Sequence, residues 1–148
     1  MDLELIEKRR EPGEDGFGWQ PFDRSEWFNP DWWNDPLLVD DASIYLQVRL
    51  DGVEVARVEL DELVDFSHFT SAPQFESALE IEFIEVVSTH RRRGIGRAVV
   101  NGVIGRYPGR RFVAFSEGAD PFWASLGWDR YEHPEGVDYW RPLYIQPA

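Results

Sequence analysis

Cysteine does not occur in this chain of 148 residues. That gap excludes a disulfide framework, a thiolate zinc site, an iron–sulfur cluster and a cysteine nucleophile together. Lysine is almost as scarce, since only Lys8 among the 15 basic residues is not arginine. Histidine occurs three times, as His68, His90 and His133, without the spacing of metal ligands, so no metal is expected. No apolar run approaches the roughly 20 residues of a membrane span. The opening MDLELIEKRR alternates apolar and charged residues and does not build a signal-peptide hydrophobic region. A soluble, cytoplasmic protein with no membrane partner is expected. Positive charge is short overall, with a net charge of −13. A phosphate-binding surface releases counterions only if it is positive, which argues against a nucleic-acid partner.

What is present fits one folded domain over residues 1–148: 43% of residues are hydrophobic and 15% aromatic, well inside the globular range. The charge is unevenly spread. Residues 11–41 carry nine acids against the single base Arg24, which is −8 of the −13, and they hold Trp19, Trp27, Trp32 and Trp33. Their Gly, Pro, Asp and Trp show no sustained period, which predicts an irregular segment with at most short helical turns. The tryptophans argue against full disorder, because such side chains favour burial.

Residues 2–10 alternate as a first strand. Ser43 to Leu50 and Val53 to Leu60 alternate in polarity around Asp51-Gly52, the dipeptide of a type I′ turn, and predict a hairpin. A helical turn is expected at Asp61 to Phe66, then a linker. In LEIEFIEVV, Leu79 to Val87, the alternation slips near its middle, as in a bulged strand buried on both faces. Arg93 to about Arg106 has helical spacing and ends at Pro108-Gly109. A strand at Arg111 to Phe115 follows. Next comes a helix opened by Asp120 as cap and Pro121 as first residue and closed by Gly127. Two further strands are expected at Trp128 to Glu132 and Val137 to Ile145. This order predicts an α+β fold: a mixed, mostly antiparallel twisted sheet of six to seven strands with flanking helices and one strand–helix–strand crossover.

The chemistry is concentrated in LEIEFIEVVSTHRRRGIGRAVVNGV, Leu79 to Val103, where a buried strand turns through Arg91-Arg92-Arg93-Gly94-Ile95-Gly96 into a helix. Glycine there lets the backbone approach a ligand, and the N–H groups of the first helical turn make an anion site suited to pyrophosphate. A P-loop needs GxxxxGK[ST], which does not occur, and a dinucleotide fingerprint needs a small residue where Val99 stands. The remaining pattern, R/Q-x-x-G-x-G/A, is met by Arg91, Gly94 and Gly96.

That loop, together with Phe122-Trp123-Ala124-Ser125-Leu126-Gly127-Trp128 downstream, resembles the pyrophosphate loop and the FYxxLGF segment of the GNAT superfamily of N-acetyltransferases. The resemblance covers residues 43–146 and implies the acyl-CoA N-acyltransferase fold with acetyl-CoA as co-substrate. It implies that the backbone of Val86, Val87 and Ser88 meets the pantetheine and acetyl oxygen. The amides of Arg92, Arg93, Gly94, Ile95, Gly96 and Arg97 would meet pyrophosphate, with Arg91 adding charge. It places Glu80 where histone acetyltransferases of the superfamily carry their general base. Glu82 shares its face in an ideal strand, and Glu85 faces the other way unless the bulge rotates it. Two positions depart from the family: Trp123 replaces the tyrosine that usually protonates the thiolate, which an indole N–H cannot do. Ser116 stands where an asparagine is common and keeps a hydrogen-bonding group for the cofactor.

The expected activity is transfer of acetyl from acetyl-CoA directly to a primary amine, with residues 11–41 as the acceptor pocket or its lid. Acids interleaved with tryptophans suit a cationic amine or a basic peptide. Two other uses stand beside it: the tryptophans patch the core or a homodimer interface, or the domain binds acetyl-CoA or a protein without catalysis.

Overall fold

A computed structural model describes residues 1–11, 19–34 and 41–148. Seven strands form one sheet in the order β1-β2-β3-β4-β5-β7-β6, with β1 at Leu3–Lys8, β2 at Ser43–Leu50, β3 at Val53–Asp61, β4 at Ala78–Val86, β5 at Arg111–Phe115, β6 at Asp129–Tyr131 and β7 at Leu143–Ile145. Helices α1 (Pro30–Trp33), α2 (Ile95–Arg106) and α3 (Asp120–Ser125) flank it. Every strand pairing is antiparallel except β4 with β5, which α2 connects. The expected α+β architecture is what the chain adopts.

The hairpin forms as its turn chemistry requires. Asp51 and Gly52 have φ of 53° and 79°, the two left-handed positions of a type I′ turn. The slip in β4 is a true bulge: Ile81 lies opposite Leu60 and Phe83 opposite Glu59, so Glu82 is the extra residue. Only the first half of β4 is buried on both faces; Ala78, Leu79 and Ile81 are buried, whereas Phe83 to Val86 are half-buried.

Leu46, Val48, Val58, Leu60, Leu79, Val99, Val103 and Phe112 are fully buried in the main core, which α2 and the irregular segment cover. A smaller cluster lies where Phe66, Phe69 and Ala72 pack on Val113, Leu143 and Ile145. The connection that supplies these residues contains no helix at Asp61 to Phe66. Instead, Asp61 and Asp65 accept from the N–H groups of Leu63 and Ser67 and favour turns over helix there.

Two other boundaries differ from expectation. Ala119, not Asp120, is the N-cap of α3, and the Ala119 N–H is taken by Ser116 Oγ at 3.2 Å. Asp120 is the first helical residue, where its charge favours the helix N-terminus. The last strand is confined to Leu143–Ile145, because residues 134–140 fold into turns around Gly136 at φ 91° and Trp140 stacks on His133 at 4.3 Å.

Candidate active site

The site begins where two strands part. β4 and β5 pair only through Ala78 to Glu80 against Arg111 to Val113, after which β5 pairs with β7 alone. A cavity of about 80 Å³ opens in the gap, lined among others by Glu82, Ile84, Phe115, Trp123, Arg141 and Trp32 of the acidic segment. The register decides which backbone groups face it. Val87 N–H donates to Val55 O at 2.9 Å, so in an antiparallel ladder the N–H and C=O of Val86 and Ile84 point away from β3, toward the gap.

Val86 N–H thus points into the gap, while its carbonyl accepts from Arg91 Nε at 2.9 Å. Val87 is buried, its N–H is held by β3 and its carbonyl accepts from His90 N–H at 2.9 Å. Ser88 begins a single 3-10 turn, and its carbonyl accepts from Arg91 N–H. The backbone groups that face the gap are thus those of Ile84 and Val86, with the Val86 carbonyl taken by Arg91. Ile84 was legible only once the bulge had been placed at Glu82.

The loop after β4 turns several backbone N–H groups outward. Gly94 caps α2 in the left-handed region at φ 75°, and Arg92, two residues earlier, is also left-handed at φ 64°. Such alternation turns successive N–H groups toward one point. Ala98 N–H is the first to bond back into the helix, to Gly94 O, so those of Ile95, Gly96 and Arg97 have no partner in the helix. Gly96 has a second reason to be glycine, because a Cβ there would lie 3.0 Å from Phe122 of α3. Ile95 itself is buried and anchors the turn.

The arginines divide by task. Arg92 and Arg93 are exposed at the loop tip. Arg97 donates to Ser125 O at 2.6 Å and ties α2 to the end of α3. Arg91 folds back on the strand, its Nε donating to Val86 O at 2.9 Å and its Nη2 lying 3.6 Å from Glu85. Ser116 and Trp123 are both buried. Ser116 Oγ holds the turn before α3, and Trp123 tilts on Trp128 at 5.0 Å and lines the cavity.

Four carboxyl groups converge beside the gap. Glu82 is exposed at the bulge and lines the cavity, while Glu80 is half-buried where β4 still pairs with Val113. Asp61 is opposite Glu80 on β3, and Glu59 is opposite Phe83. Burial first, then the charges of Glu82 and Asp61, push Glu80 up to about 7, with Arg141 pulling the other way. Burial, then the Glu82 charge and a hydrogen bond to Glu82, push Glu59 up to about 8. Glu59 and Asp61 escaped sequence reasoning because they share an alternating face with Arg57, which reads as solvent-facing.

That face is covered. Arg57 is 1% exposed, with its guanidinium between the rings of Phe22 and Phe28 at 4.6 and 4.2 Å, and bonded to Glu54 and to Asp23 O. Part of the acidic segment is thereby core, as Trp33 confirms by its burial, whereas Trp27 stays 61% exposed. Trp32 is partly exposed and tilts on Phe83 at 5.1 Å. Glu14, Asp15, Asp35 and Asp40 lie outside the described residues. Among those described, no group of His, Asp and Glu could hold a metal ion, and no helix is long and apolar enough to cross a membrane.

Comparison with solved structures agrees with this architecture. The E. coli protein YhhK bound to coenzyme A superposes with a TM-score of 0.58 at 16% identity, covering 99% of this chain and 100% of that one. An acetyltransferase from Thermus thermophilus gives 0.56 at 16% identity over 74% and 67% of the two chains. The Bacillus subtilis N-acetyltransferase YlbP in complex with coenzyme A gives 0.51 at 20% identity over 70% and 67%. No curated protein matches in sequence. The model of the acetyltransferase (GNAT) family matches residues 4–128. Parted strands, a left-handed glycine at the head of α2 and this match together place the chain in the GNAT family of acetyltransferases, with acetyl-CoA as its co-substrate.

Proposed function

We propose that this protein acetylates a cationic primary amine, with Glu82 and Glu80 together taking the amine's proton. The observation that carries the reading is the bulge, which turns Glu82 into the gap between β4 and β5 with Glu80 behind it in the still-paired part of the sheet. The backbone of Ile84 and the N–H of Val86 would hold the pantetheine, and the amides of Ile95 to Arg97 with Arg92 and Arg93 the pyrophosphate. The carboxylate pair first takes a proton from the ammonium group, and the freed amine nitrogen attacks the thioester carbonyl carbon as the C–S bond breaks. The second proton on nitrogen passes to solvent, from which the departing CoA thiolate takes its own. A carboxyl group near 7 suits a base at neutral pH, since it is ionised enough to accept and basic enough to hold the proton. The acidic segment and Trp32 beside Glu82 favour a positively charged acceptor.

Release of CoA thiol in the presence of spermidine, kanamycin and a basic peptide with a free N-terminus tests the proposal. Turnover of at least one of them is expected, with the uncharged benzylamine analogue benzyl alcohol inert. Tight acetyl-CoA binding without thiol release in any of them would overturn it and favour a binding module.

A further inference from the structure

Glu85 lies on β4 between the two halves of the site and has no part in the chemistry above. Its side chain is 12% exposed and both of its oxygens are engaged. Oε1 accepts from the backbone N–H of Asn29 at 2.9 Å and from Trp33 Nε1 at 2.8 Å. Oε2 faces Arg91 Nη2 at 3.6 Å. The first two donors bracket α1: Asn29 is its N-cap, holding Asp31 N–H, and Trp33 is its last residue. Trp32, between them, lines the cavity beside Phe83, Phe115 and Trp123. The third partner, Arg91, heads the anion loop and is itself pinned to Val86 O, on the strand edge that faces the gap.

We propose that Glu85 is a positioning residue that holds the acceptor wall and the anion loop from one carboxylate, resting on the acetyl-transfer reading above. One oxygen fixes α1, and therefore Trp32 against Phe83. The other fixes Arg91, and therefore the entry of the loop. The two arms are chemically separable. Glutamine keeps an oxygen that can accept both N–H groups, but it presents an amide to Arg91 and loses the ion pair. Alanine loses both arms. Replacing Trp32 removes what the first arm holds.

Calorimetric titration with CoA, and with spermidine in the presence of CoA, reads the two arms as separate dissociation constants. E85Q is expected to weaken CoA about threefold, the scale of a half-exposed ion pair, and to leave spermidine within twofold. E85A is expected to weaken spermidine about tenfold as well, with kcat in the thiol-release assay within threefold of wild type. W32A is expected to weaken spermidine alone, and W32A/E85A to weaken it no more than W32A does, because Glu85 acts on the amine through that ring. Additive losses in the double variant, or E85A binding spermidine as wild type does, would overturn the proposal. Should E85A fail to fold, E85Q and W32A still separate the arms. Wild-type binding without thiol release would refute the catalytic reading while leaving these constants to judge Glu85.

Discussion

The anion loop and the acidic segment are both irregular, yet they are held by different means. The loop is shaped by its own backbone: Gly94 supplies a left-handed cap, and the amides of Ile95 to Arg97 are orphaned by helix geometry alone. Residues 19–34 are held almost wholly by distant side chains. Arg57 is clamped between Phe22 and Phe28, Glu85 takes Asn29 and Trp33, and Tyr45 meets Trp19 and Phe22 at 6.1 and 5.9 Å. A site formed by local backbone can be read along the chain; one formed by clamps cannot, because its partners lie elsewhere in sequence.

Substitutions can break this contrast at either end. The largest effect is expected at the chemistry shared by both halves: E82Q and E80Q should each lower kcat by about 10²–10⁴-fold with acetyl-CoA binding kept, as measured by thiol release and titration. The wild-type rate should rise with pH through about 7, where Glu80 loses its proton. A flat profile over that range in E80Q, and in wild type too, would remove Glu80 from the mechanism.

Next in size is the clamp. R57M should destabilise the fold by about 3 kcal/mol in denaturant unfolding, since it leaves the Asp23 carbonyl without its donor and Glu54 without its ion pair, and it should shift Trp33 emission to the red. The loop should be unaffected in amide exchange. The reverse result is expected for G96V, which forces Phe122 aside: about 2 kcal/mol lost, with Trp33 emission unchanged.

The smallest effect concerns the carboxyl cluster. Glu59 binds its proton more tightly folded than unfolded, so the native state holds more protons between about pH 4.5 and 8, and stability falls as pH rises through that window. E59Q should flatten the decline and gain on the order of 2 kcal/mol at pH 8.5, measured as a Tm series. An unchanged slope would mean that Glu80 alone carries it.

Much of the sheet was legible because its signals are local. Asp51-Gly52 announces a turn that few other dipeptides allow, and the broken alternation near the middle of Leu79 to Val87 announces a bulge, although only the pairing with β3 shows that Glu82 is the extra residue. Helix α3 was placed correctly but capped wrongly. Asp120-Pro121 is a good start signal, and nothing nearby shows that Ser116 would take the preceding N–H. Glu59, Asp61 and Arg57 were missed for a deeper reason. Their alternation marks the face of β3 opposite the apolar residues, and only a segment more than twenty residues away determines that this face is covered. Glu85 shares a face with Glu80, because the bulge at Glu82 shifts the phase between them, and nothing in the sequence shows that its partners would be Asn29 and Trp33.

The parting of β4 and β5 bears on how the molecule keeps apart from its own copies. β4 is central in the sheet, yet from Ile81 onward it has strand β3 on one side only, so half of it is an open edge of the kind that recruits foreign strands. The bulge at Glu82 disrupts its regular spacing, carboxylates at 80, 82 and 85 repel a like-charged neighbour, and Arg91 already occupies the Val86 carbonyl. Features that shape a binding cleft thus also guard against cross-strand aggregation, and variants that straighten or neutralise this strand should first be watched for self-association.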